Sequence, residues 1–63
     1  MMKRIPASEV RPGDVVCFLG SPHLITAIDP YTGPFDFIVG VARDAHGWGI
    51  SLEDGAYLDV SRA

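Results

Sequence analysis

Val10-Arg11-Pro12-Gly13-Asp14-Val15-Val16-Cys17-Phe18-Leu19 is a Pro-Gly-Asp turn that runs straight into five apolar residues. Pro12 pre-sets φ for the second position of a turn, Gly13 takes a positive φ at no steric cost, and Asp14 can bond back to the local backbone. The run after it lacks polar alternation. It therefore predicts a strand covered on both faces and central in its sheet. Cys17, between Val16 and Phe18, is expected to be buried and inert, because apolar surroundings raise a thiol's pKa and block access.

Working back from that turn, residues 3–6 read as a short first strand ending at Pro6, and residues 7–10 as one helical turn that tucks Val10 under the sheet. Working forward, residues 19–22 form the next turn, and His23 to Asp29 is a β-rich run. His23 and Ile25 share one face while Ile28 falls on the other, a change of parity that a bulge absorbs. Residues 29–34 (Asp-Pro-Tyr-Thr-Gly-Pro) form a surface loop. Residues 35–44 are expected to be the longest strand, with Phe37, Val39 and Val41 on one apolar face and Gly40 on the other, marking a bulge or a close backbone approach. A hairpin turn at 44–47 precedes Trp48, Ile50 and Leu52, which alternate with polar or small residues and are expected to point the same way. After a turn at 53–56, a last strand carries Leu58 and Val60 inward.

The 63 residues are expected to make one domain, residues 1–63. A core of this size buries only about 60% of the surface that the unfolded chain exposes. The single cysteine permits no intrachain disulfide, and no Cys/His spacing suggests a zinc module. Yet the chain is 48% hydrophobic, with a mean hydropathy of +0.21. Apolar side chains beyond what a small core absorbs are expected to be shared across an interface, with a protein partner or a second copy in a homo-oligomer. A lone cysteine and the lack of a signal-like apolar run suggest the cytoplasm, and no stretch has the apolar length of a membrane span.

The net charge is -3. Lys3, Arg4 and Arg11 lie in the first eleven positions with only Glu9 opposed, so residues 12–63 hold two basic and seven acidic residues, a balance of -5. This argues against a nucleic-acid ligand for the body of the domain and leaves only the basic N-terminal end for one.

Five or six short antiparallel strands in so short a chain leave few arrangements without long unpaired edges, and the expected fold is an all-β, closed or half-closed barrel. The Pro12-Gly13-Asp14-Val15-Val16 stretch, the Gly20-x-x-His23-x-Ile25-x-x-Ile28 run and Gly47-Trp48-x-Ile50-x-Leu52 resemble the SH3-like barrels. The likeness is greatest to small barrels of this sort encoded by actinobacteria and their phages. It implies a non-catalytic module that binds protein or assembles with itself, and for a phage-encoded member an action on a host protein. The start is also similar to the KOW-type barrels, whose basic loops bind RNA; the alternative it implies is a nucleic-acid-associated barrel using Lys3, Arg4 and Arg11. The Arg11-Pro12-Gly13-Asp14 turn resembles one in intein-like Hint domains, which need a longer chain and a nucleophile at the domain's start.

Cys17, His23 and His46 are the ingredients of a thiol nucleophile and its base. With no spacing that forces them together, Cys17 is read as core, His46 as an exposed turn residue and His23 as a strand residue hydrogen-bonded to a carboxylate. No catalytic residue, metal site or cofactor is expected. Among the aromatic residues, the core is expected to absorb Phe18, Phe37 and much of Trp48, leaving Tyr31, Phe35 and Tyr57 near the surface. Together with Pro30 and Pro34 these form the expected partner-binding surface, since aromatic rings beside stiff proline-bearing loops suit protein interfaces.

Overall fold

The computed structural model describes residues 2–62. It is all-β: β1 (Met2–Pro6), one 3₁₀ turn (Ala7–Glu9), β2 (Val15–Phe18), β3 (Ser21–Asp29), β4 (Ile38–Asp44), β5 (Gly49–Glu53) and β6 (Tyr57–Ser61). Every pairing is antiparallel, in the order β1-β6-β2-β3-β4-β5. No β1–β5 ladder joins the two edges among the described residues, so the sheet is not closed, although it is compatible with an SH3-like barrel. Its longest strand is β3, with nine residues, because the segment before Ile38 belongs to the preceding loop.

β3 changes partners along its length, pairing with β2 through Ser21–Leu24 and with β4 from Ile25 onward. The register shifts between Ile25 and Ala27, as the change of parity requires, and the Thr26 hydroxyl donates to the Arg43 carbonyl at 3.3 Å across the bulge. The hairpin from β2 to β3 is tighter than the sequence suggests. Phe18 pairs directly with Ser21, so only Leu19 and Gly20 remain in the turn, both with positive φ (52° and 78°). Two left-handed residues match the twist of the flanking strands, but glycine or asparagine meets that demand more easily than leucine.

Ile5, Ala7, Val10, Val16, Ile25, Ala42, Ile50, Leu52 and Val60 form the core, with Ala56 and Leu58 packed against it. Val10 is therefore tucked under the sheet as its position after the helical turn predicts. The expected double cover of β2 is not found. This strand is hydrogen-bonded along both edges, but Cys17 is exposed on the outer face, where the described residues offer only one helical turn and nothing to lay over it, and Phe18, on the face of Val16, is exposed at the strand's end. Cys17 is accordingly a surface thiol.

The core is also built without the expected rings. Phe18, Phe37 and Trp48 are all exposed, and the interior is filled by aliphatic residues and Ala42. Along β4 the buried positions are Gly40, Ala42 and Asp44, and the face of Phe37, Val39 and Val41 is the outer one. A second register shift, between Ile38 and Gly40, sets this phase. Trp48 precedes β5 and is 69% exposed, although Ile50 and Leu52 point inward as their alternation predicts.

Candidate protein-binding surface

The loop between β3 and β4 is built around Tyr31. Its ring lies directly over Gly33, where a side chain would have no room, and its hydroxyl accepts a hydrogen bond from the Phe35 N–H at 3.3 Å. The Ile38 N–H then donates to the Phe35 carbonyl at 3.2 Å, and the Asp54 N–H to the Phe37 carbonyl at 2.7 Å. The loop is thus tied to itself and to the turn between β5 and β6. This scaffold leaves Phe35 and Phe37 side by side, ring centroids 5.6 Å apart, and 54% and 49% exposed. Val39 extends the apolar surface onto β4.

Of the residues expected at this surface, Tyr31 and Phe35 meet in one loop, and Pro30 and Pro34 are exposed beside them. Tyr31 is half-buried, a support more than a contact. Tyr57 is exposed on β6 opposite Pro6, and the turn at 53–56 connects it to the loop through Asp54. Phe37 belongs to the surface although its alternation with Val39 and Val41 suggests core. The signal against that reading was its place three residues after Pro34, still within the loop.

Asp36, Glu53 and Asp54 flank this aromatic pair, and none has an ion-pair partner among the described residues. Glu9 likewise has no ion pair among the described residues and Asp59 only approaches Arg4 at 4.0 Å, whereas three other carboxylates are closely paired. Asp29 meets Arg43 at 2.8 Å, Asp14 meets Arg62 at 2.8 Å, and Asp44 meets His23 at 2.7 Å.

The last two each tie together stretches that are distant in sequence. Asp14 is buried, accepts from the Arg11 N–H at 3.1 Å and binds Arg62 through both oxygens, while Arg62 also reaches the Glu9 carbonyl at 3.0 Å. The Arg62 hydrogen bond holds the Asp14 carboxyl below the usual carboxylate range against the opposing effect of burial. Asp44 accepts from the N–H groups of His46 and Trp48, both at 2.9 Å, with His23 Nδ1 on its other oxygen. The His23 bond is the largest cause of its lowered pKa. The Phe18 ring meets His23 edge-on at 6.5 Å.

Comparison with protein-family models, with curated proteins and with solved structures finds no match. In the β2–β3 ladder His23 faces Val16, so His23 and Cys17 leave opposite faces of the sheet, and the thiol is not presented to the imidazole. The Asp44–His23 pair therefore orders a hairpin, with no enclosed cavity beside it among the described residues. Among those residues no three His, Cys, Asp or Glu side chains converge on a point, and no helix is long and apolar enough to cross a membrane.

Proposed function

We propose that this protein is a small non-catalytic protein-binding module that docks its partner through the 30–37 loop, with Phe35 and Phe37 as anchors. Pro30 and Pro34 stiffen the rim, Tyr31 braces the loop from beneath, and Tyr57 borders it from β6. The observation that carries this reading is the Phe35–Phe37 pair: two rings in contact, half exposed, on a loop fixed by hydrogen bonds at both ends. A preorganised aromatic surface loses little ordering entropy on docking, and aromatic anchors commonly carry most of an interface's energy. The parting of Cys17 from His23 supports a binding role over catalysis. The resemblance to phage-encoded SH3-like barrels supports a protein as the thing bound.

The test uses Tyr31→Ala, Phe35→Ala and Phe37→Ala, each first confirmed to melt cooperatively. Self-association and capture of proteins from a lysate are then measured beside the parent. Loss of an anchoring ring is expected to cost more than ~1 kcal/mol of binding, roughly a fivefold or larger loss of captured protein. If the Phe35 and Phe37 variants fold and bind as the parent does, the loop is not the docking surface.

A further inference from the structure

The loop's surroundings specify what it would accept. Asp36, Glu53 and Asp54 surround an apolar pair without a cation of their own among the described residues, so a complementary surface is apolar and basic. One such surface lies on the protein itself. β1 is an edge strand, bonded to β6 along one side only, and it carries exposed Met2 and Arg4 on one face and exposed Lys3 on the other, so its free edge is flanked by a cation on each face. Lys3 has no ion pair among the described residues, and Arg4 only approaches Asp59 at 4.0 Å, with both side chains more than half exposed. The two surfaces are set apart along β6. The acidic turn leads into Tyr57 at the strand's start, whereas Lys3 faces Val60 near its end, three residues away or roughly 10 Å of extended chain.

We propose that the Phe35–Phe37 surface of one copy receives the Met2-Lys3-Arg4 edge of a second copy, head to tail. This rests on the reading of the loop as a docking surface and names its occupant. A contact between two different patches is heterologous, so it leaves a free patch at each end and adds further copies unless a ring closes. Opposite charges across it steer encounter and make it sensitive to salt.

Sedimentation of the full chain from ~10 μM to ~1 mM spans the range in which weak interfaces of this kind form. The expected result is an average mass that rises with concentration above the 6.8 kDa of one chain, and rises less in high salt. Two blocked variants then test the geometry. Lys3→Glu with Arg4→Glu reverses the two cations of the β1 edge, and Phe35→Ala with Phe37→Ala removes the aromatic surface. Each alone is expected to stay monomeric, and an equimolar mixture to form a one-to-one complex that grows no further, because each supplies the surface the other lacks. If the double alanine variant does not fold, Asp36→Lys with Asp54→Lys blocks the same end at exposed positions. A monomeric parent at ~1 mM, association untouched by both blocks, or a mixture without a complex each overturns head-to-tail docking. A monomeric parent whose capture of another protein still depends on Phe35 and Phe37 overturns it while upholding the docking surface.

Discussion

On the inner face of the sheet, Val16, Ile25, Ala42 and Val60 are almost completely sealed, whereas the outer face of the same strands carries Val15, Cys17 and Leu24 toward solvent. The register makes the outer residues a continuous band: Met2 faces Ser61, Ser61 faces Val15, and Val15 faces Leu24. Val15, Cys17 and Leu24 are as apolar as the inner residues, although Asp59 and Ser61 share their face, so at these positions hydrophobicity alone does not separate inside from outside. What separates them is cover. The chain has enough mass to close one side of its sheet, and the apolar residues on the other side contribute to strand formation without contributing to the core.

Ile25 and Leu24 put this contrast to its sharpest test, because they are adjacent and nearly the same size, but 1% and 48% exposed. Ile25→Ala is expected to cost about 2–5 kcal/mol, enough in so small a domain to populate the unfolded state without denaturant. Leu24→Ala is expected to stay within about 0.5 kcal/mol of the parent by urea unfolding. Comparable losses at the two sites would mean that the outer band is covered in solution.

Acid probes the polar members of the inner face. Asp14 and Asp44 are buried and both have lowered pKa values, by the Arg62 and His23 hydrogen bonds respectively. A carboxyl with a lower pKa folded than unfolded stabilises the fold fully above its unfolded value, near 4, and that contribution is lost as pH falls through the folded value. Melting temperature is therefore expected to be insensitive to these groups from pH 7 to about 5 and to drop below about 4. Asp14→Asn and Asp44→Asn should each lower stability at neutral pH and flatten part of the acid fall. A parent with undiminished stability at about pH 3 would break the link between these carboxylates and the fold.

The smallest effect on the fold belongs to Cys17. An exposed thiol on the outer band should react with a thiol reagent in the native protein at a rate close to that in denaturant. Strong native protection would show that something covers this face, whether a second copy or a rearranged strand.

Turn chemistry and alternation made most of the fold legible. The Pro12-Gly13-Asp14 turn, the parity change between Ile25 and Ile28, and the inward Ile50, Leu52 and Val60 all emerge where local residues impose one backbone path. What was not legible depended on the amount of covering mass. Nothing local distinguishes the run Val15-Val16-Cys17-Phe18 as one-sided. Trp48 shares the parity of Ile50, but it sits where the Asp44 cap turns the hairpin outward. At the candidate surface, Tyr31 and Phe35 could be read from loop composition. Phe37 was hidden by its alternation with Val39; Gly40 did mark the bulge that sets the phase of β4, but not which face that bulge would turn outward.

β6 lies between β1 and β2, so the middle of one half of the sheet is laid down by residues 57–61 while its flanks come from residues 2–6 and 15–18. No contiguous fragment that lacks β1 or β6 holds β6 together with both of its neighbours. Before residues 57–61 exist, β1 has no ladder to join and β2 keeps one edge bare, although β2, β3, β4 and β5 already pair with one another as sequential hairpins. The ladders from β6 to β1 and to β2 are the ones distant in sequence, and closing those loops is expected to be the slow step of folding.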